Sequence, residues 1–231
     1  MPDPASLDPE PGVLRVLQTK QQTKAYYNKI AKVYDLMSEH AERPMREHGL
    51  RLLNAQPGET VLEIGFGTGH CLVQLAKAVG PTGLVRGIDI SEKMVEFAEK
   101  LLRKEGLADR VELVCGDAEQ MPLDDESTDA IFISFTLELF DTPAIPRVLA
   151  ECKRVLRQGG RVSVVGISRE NDDSIATRVY EWTHQHFPNL MDCRPIYIGR
   201  ALEAAGFQIV QSKLDHMWVP VEIVLGTKPA A

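Results

Sequence analysis

Apolar positions along the chain follow two alternating rhythms. Short runs rich in Val, Ile and Phe, at 59–64, 83–89, 110–116, 128–135 and 160–168, are too short for helices and predict strands. Between them the spacing lengthens. Leu72, Leu75, Ala76 and Val79 recur at i, i+3, i+4 and i+7, as do Met94, Phe97, Ala98 and Leu101, which predicts two amphipathic helices. Ser91 stands where the second helix needs its N-cap, and Gly106 lies just past its end. Thr142-Pro143 is expected to open a third helix, a cap followed by proline at the first helical position. That helix carries Ile145, Val148, Leu149 and Cys152 and is expected to stop at Gly159-Gly160. Strands that alternate with helices predict a parallel, open α/β sheet.

The rhythm changes at the C-terminal end. Ile198, Ala201, Leu202 and Ala205 predict a helix that ends at Gly206. Two strand-like runs follow, at 207–214 and 218–228, with too few residues between them for a crossover helix, so they must form an antiparallel hairpin. The expected fold class is therefore α/β: a seven-stranded, mostly parallel, Rossmann-like sheet with helices on both faces and the last strand antiparallel.

Composition narrows the class. The 231 residues suffice for one large domain, 44% of them are hydrophobic, and no apolar run approaches the ~18 residues of a membrane span. The opening "MPDPASLDPEPG" has four prolines and three acidic residues and no secretory pattern, so 1–12 is expected to be a disordered tail on a cytoplasmic protein. A net charge of −7 argues against nucleic acid as a partner, which would call for concentrated Lys and Arg. Cys71, Cys115, Cys152 and Cys193 form no CxxC pair and sit near apolar residues, so all four are expected to be buried, reduced thiols.

Candidate chemistry begins at "VLEIGFGTGH", 61–70, where Gly65, Gly67 and Gly69 follow a strand that contains Glu63. In an open α/β sheet, ligands bind at the carboxyl ends of strands where the strand order reverses. A dinucleotide fingerprint would need a glycine at position 70, which is His70, expected here to begin a helix and face solvent. Asp89 closes the second strand, twenty residues beyond Gly69, where a side chain reaches ribose hydroxyls. Asp117 follows the third. Three carboxylates around one pocket suit a cationic, donor-rich ligand better than a pyrophosphate. S-adenosylmethionine, with its sulfonium, ammonium, ribose hydroxyls and adenine amine, is such a ligand.

At these residues the chain resembles the class I S-adenosylmethionine-dependent methyltransferases, and among them the group of ubiquinone and menaquinone C-methyltransferases and bacterial phospholipid N-methyltransferases. The resemblance rests on "VLEIGFGTGH", "GIDISEKMVEFA", "GDAEQMPLDDESTDAIFISF" and "VLRQGGRVSVVG", together with the lid-like helix "YYNKIAKVYDLM". It implies that Gly65, Gly67 and Gly69 receive the methionine moiety with Glu63 at its polar end. Asp89 would hold the ribose, Ile90 and Met94 would flank the adenine, and Asp117 and Ala118 would meet its edge. Ser134 and Phe135 would stand beside the sulfonium, and Tyr34 would close over the cofactor. The implied division is a helical lid at 13–56 and a methyltransferase domain at 57–231, with 169–196 shaping the acceptor site.

The acceptor side is less defined. No catalytic base is assigned; Tyr27, Glu138, His186 and Tyr197 are acceptor-side candidates. Glu138 departs from the resemblance, since many relatives carry histidine in this stretch; a carboxylate there favours a cationic or amine acceptor, or only orients one. Arg194 could bind an acidic group of the substrate or pair with Asp192. No metal is expected, because His184 and His186, two apart, would lie on different helix faces. Residues 13–34 carry Arg15, Lys20, Lys24, Lys29 and Lys32 and no acid, so this segment either touches an anionic membrane surface peripherally or is an ordinary solvated face. The expected acceptor is a small or lipid-like molecule, a quinone precursor or a phospholipid amine. The rival readings are an NAD(P)-dependent oxidoreductase and a methyltransferase-like binding module without turnover. Oligomeric state is not readable.

Overall fold

The computed structural model describes residues 13–16, 19–170 and 193–230, and of residues 20, 27 and 29–41 the backbone alone. Seven strands form one sheet: β1 (Thr60–Ile64), β2 (Leu84–Asp89), β3 (Val111–Cys115), β4 (Thr128–Ser134), β5 (Leu156–Ile167), β6 (Gln208–His216) and β7 (Pro220–Thr227). Their order is β3-β2-β1-β4-β5-β7-β6. The pairs from β3 to β5 are parallel, while β7 runs antiparallel to both β5 and β6, as the short final connection requires. Strand order reverses between β1 and β4, which makes their carboxyl ends the switch point of the sheet.

Alternation along the strands divides the interior into two layers. Val61, Ala130 and Phe132 face a core shared with α2 (His70–Val79) and α3 (Glu92–Lys104). Leu62, Ile64, Ile131 and Ile133 face the other core, filled by α4 (Ile145–Val155) and α5 (Ile198–Ala204). The Ser91 hydroxyl caps α3 by accepting the Met94 N–H at 3.2 Å.

The long helix α1 (Lys20–Leu53) opens with a capping box between Thr19 and Gln22 and ends at Asn54, which is left-handed. Its second half lies on the sheet. A Cβ on Gly49 would come 2.3 Å from Val165 Cγ2, so only glycine permits this approach. Ser163 Oγ donates to the Gly49 carbonyl at 3.0 Å, and Arg161 donates to the carbonyls of Leu53 (2.6 Å) and Asn54 (2.9 Å) while pairing with Glu59. Pro44 lies inside the continuous helix, where it supplies no backbone N–H, between this anchored half and the half that reaches α3.

Three expectations are corrected. α4 begins at Ile145 with Pro146 in its first turn, because the Asp141 carbonyl accepts from both Ala144 and Ile145 and turns 142–144 before the helix starts; the Thr142 hydroxyl makes no cap. That helix runs straight into β5 at Leu156, ahead of the glycine pair, because Lys228 binds the Leu156 carbonyl and exchanges backbone bonds with Gly159 and Gly160. Cys115 is exposed at the end of β3, whereas Cys71 and Cys152 are buried and Cys193 is half-buried; no disulfide joins them among the described residues. Among the described residues no helix is long and apolar enough to cross a membrane. The 1–12 segment lies outside the described residues.

Candidate functional site

A cleft of about 410 Å³ opens at the switch point, within the size range of small-molecule sites. Its floor is the loop after β1. Gly65 has φ +69°, its N–H donates to the Ile88 carbonyl at 2.8 Å, and a Cβ there would lie 2.3 Å from the Thr136 side chain. Gly67 has φ +54° and a Cβ there would meet nothing within 4 Å, so bare backbone faces the cavity. Gly69 does not line the cleft. A Cβ at this position would sit 2.9 Å from Ala98 Cβ, so this glycine sets how closely α2 can start beside α3.

The carboxylates gather as the strand ends dictate. Glu63 lines the cleft yet is almost fully buried, and its Oε2 has no hydrogen-bond partner. Burial drives its carboxyl well above the usual range; Arg46 of α1 opposes this and Asp89 adds to it. Asp89 accepts from the Gly67 N–H (3.0 Å) and the Ser91 N–H (2.9 Å), but burial still pushes it up to about 6. Asp117 accepts the Glu119 N–H at 3.0 Å, shaping the turn after β3, and lines the cleft beside Ala118. Ile90 and Met94 line it from the start of α3, with Met94 also buried in the core.

Ser134 and Phe135 form the wall after β4. Phe135 has φ +47° and its N–H donates to Val165 O at 2.7 Å; that backbone region costs an aromatic residue on the order of 1 kcal/mol. The roof comes from the N-terminal segment, with Val16, Thr19, Thr23, Glu42 and Arg46 lining the cleft. Two links fasten it: Arg15 grips Asp141 with two hydrogen bonds, and Asn28 and Lys24 engage Ser91 and Glu92 at the start of α3. The two basic side chains of 13–34 that the structure describes are thus both paired within the chain.

The acceptor candidates scatter. The side chains of Tyr27 and Tyr34, and all of His186, lie outside the described residues. Tyr197 precedes α5, stacks with the Arg200 guanidinium at 4.1 Å and does not line the cleft. Glu138 is fully buried behind the wall. His70 does begin α2, but it lines the cleft rather than facing solvent alone. Thr136, Phe140 and Arg46 belong to the cleft and carry no local sequence signal, since tertiary packing alone brings them there. Among the described residues no cluster could hold a metal ion.

The residues present fit S-adenosylmethionine, in that an unpartnered buried carboxyl oxygen at Glu63 stands beside open backbone at Gly67, with Asp89 one strand away. Fold and site together define a class I S-adenosylmethionine-dependent methyltransferase. The family model of the ubiE/COQ5 methyltransferase family matches residues 15–193, and the chain belongs to that family. It is 32% identical over 167 residues to a demethylmenaquinone methyltransferase of Lactobacillus johnsonii, covering 71% of this chain and 67% of the relative. Against the demethylmenaquinone methyltransferase of Bacillus subtilis it is 33% identical over 147 residues, 62% of each chain. The chain thus spans about two thirds of the curated relatives it matches. Among solved structures it is similar to an S-adenosylmethionine-dependent methyltransferase from Aquifex aeolicus, with TM-score 0.64, 27% identity, and coverage of 87% of this chain and 97% of that one.

Proposed function

We propose that the protein methylates a ring carbon of a reduced, quinone-type acceptor. The observation that carries this reading is the acidic, bare-backboned cleft at the sheet's switch point in a chain of this family. The printed activity of the two relatives supports a quinone-type acceptor, and neither relative speaks for a phospholipid amine. Bound S-adenosylmethionine supplies an electrophilic methyl on sulfur.

In this reading Glu63 accepts hydrogen bonds from the ammonium group, and Gly65 and Gly67 bring main chain against the methionine moiety. Asp89 takes both ribose hydroxyls, Ile90 and Met94 enclose the adenine, and Asp117 and Ala118 border its edge. Ser134 and Phe135 flank the sulfonium, with Tyr34 above. Gly69 acts through helix spacing. The acceptor lies between the 135–141 wall and the roof at Thr19 and Thr23, where alignment in a water-poor site is the protein's main contribution. Residues 13–56 serve as the lid over the domain at 57–231, and 169–196 borders the acceptor; within that stretch 171–192 lie outside the described residues.

The test is incubation of the protein with methyl-deuterated cofactor and a short-chain prenylated 1,4-naphthoquinol kept reduced. Mass spectrometry is expected to find the label on the ring carbon. Cofactor binding by calorimetry without any labelled naphthoquinol would remove the acceptor assignment.

A further inference from the structure

Behind the cleft wall lie two charged side chains that cofactor binding leaves unused. Glu138, in the 3-10 turn Leu137–Leu139, is fully buried; its Oε1 accepts the Ile167 N–H at 3.1 Å and its Oε2 has no partner. Gly166 makes the seat, since a Cβ there would come within 2.7 Å of Oε2 and 3.0 Å of Oε1. Arg194 is also fully buried. Its Nη2 donates to the Phe140 carbonyl at 2.6 Å, whereas Nε and Nη1 have no partner. Phe140 itself lines the cleft, as do Leu139 and Asp141. Unpartnered polar atoms at this depth are expensive, and here three occur against one segment of wall.

The charges around them decide the sign of the local field. Glu138 is faced by Glu42 from α1 and by Arg194; Arg194 is faced by Asp141, Glu138 and Arg15. Asp141 is already held by Arg15. Burial pushes Glu138 up to about 8, with Glu42 adding to the effect, so at neutral pH it keeps its proton. Burial draws Arg194 down only to about 10, so its guanidinium stays charged. At neutral pH the wall thus contains a positive charge that Glu138 does not cancel.

We propose that Arg194 is a positioning residue for the acceptor, its buried charge favouring a ring that reacts as an oxyanion, and that Glu138 adjusts this field by holding or releasing its proton. This rests on the quinol-type acceptor proposed above and specifies the state in which it reacts. The ring hydroxyl loses its proton to solvent and the electron pair stays on oxygen. From there it feeds the ring carbon that bonds the methyl while the donor sulfur keeps the pair of the broken C–S bond. The ring carbon then releases its own proton to solvent. A carboxyl at position 138 therefore serves an anionic acceptor, the reverse of what its charge alone would indicate.

The test is the pH dependence of kcat, which reports groups in the ternary complex, with the prenylated naphthoquinol as acceptor. In the unaltered protein kcat is expected to rise with pH to a plateau as the ring hydroxyl ionises, the rise being drawn out toward alkaline pH as Glu138 ionises and offsets the Arg194 charge. Arg194→Met should move the acidic limb upward by about one pH unit, with a roughly tenfold lower kcat on that limb and unaltered cofactor affinity. Arg194→Lys should return most of the limb, because charge rather than fork geometry is what counts. Glu138→Gln should sharpen the rise to that of a single ionisation. If Arg194→Met does not fold, Arg194→Lys and Glu138→Gln still decide the matter. Variants that lose kcat equally at every pH, or leave the position and shape of the rise unaltered, overturn the proposal while the quinol reading stands. An unaltered protein that binds cofactor and methylates no quinol overturns the acceptor reading itself.

Discussion

At the ends of β1, β2 and β3 the cleft is walled by residues drawn from 63–119, with bare backbone at Gly67. At the ends of β4 and β5 it is walled by 134–141, roofed by Thr19, Thr23 and Arg46, and backed by Gly166 and Arg194. The first half presents turns and strand ends to the cleft, which a sheet positions without help from distant packing. The second half gathers side chains from four separated segments, so its chemistry depends on how α1, β4, β5 and the approach to α5 fit together. A donor common to many enzymes can be held by the first kind of construction. An acceptor particular to one enzyme calls for the second.

Substitutions can sharpen that contrast. Gly65→Ala should have the largest effect, because it combines a positive φ with a Cβ 2.3 Å from Thr136 across the boundary between the halves. A loss of about 2–5 kcal/mol in stability is expected, read from chemical denaturation. Gly67→Ala, with open space around its Cβ, should instead cost about 1–2 kcal/mol in stability and show mainly as weaker cofactor binding. Equal profiles for the two variants would dissolve the distinction between a glycine kept for packing and one kept for the ligand.

Asp89→Ala should weaken S-adenosylmethionine binding on the order of 50-fold in calorimetry, leaving the acceptor half intact. The pH dependence of that affinity follows from the same carboxyl. Asp89 is raised to about 6, and on the proposed reading its ionised form accepts the two ribose hydroxyls, so acid should compete with the cofactor. Affinity should be flat above pH 7 and about tenfold lower at pH 5, where roughly one Asp89 in ten is ionised. Without ligand the sign is opposite. A carboxyl raised on folding contributes stability below its unfolded value that is lost as pH rises through its folded value. Asp89 and Glu138 should therefore lower the melting temperature between pH 4.5 and 8. Arg15→Ala should have the smallest effect, at most a threefold rise in KM, because its pair with Asp141 is solvent-exposed.

The same contrast explains what could be read from the chain before its structure. Gly65, Gly67, Asp89 and Asp117 were legible because strand period, turn chemistry and carboxyl-end position are local properties, and seven strands followed from the alternation of rhythms. His70, Thr136 and Arg46 were not, because each reaches the cleft through contacts across the sheet that no short window contains. The start of α4 was misplaced because the Asp141 carbonyl takes the bonds a Thr142 cap would have needed to precede. Cys115 looked buried by its neighbours in sequence, yet it closes an edge strand and is exposed there, although it shares a face with the core-packed Val111 and Leu113.

Gly69 carries a consequence of its own. Because its missing side chain lets Ala98 come near, the third glycine of the loop acts as a gauge block between two rods, and α3 bears Met94 on the cavity side. Bulk added there would push α3 away from the start of α2 and shift Met94 in the cavity wall. At that position the loop glycine sets a tolerance on alignment.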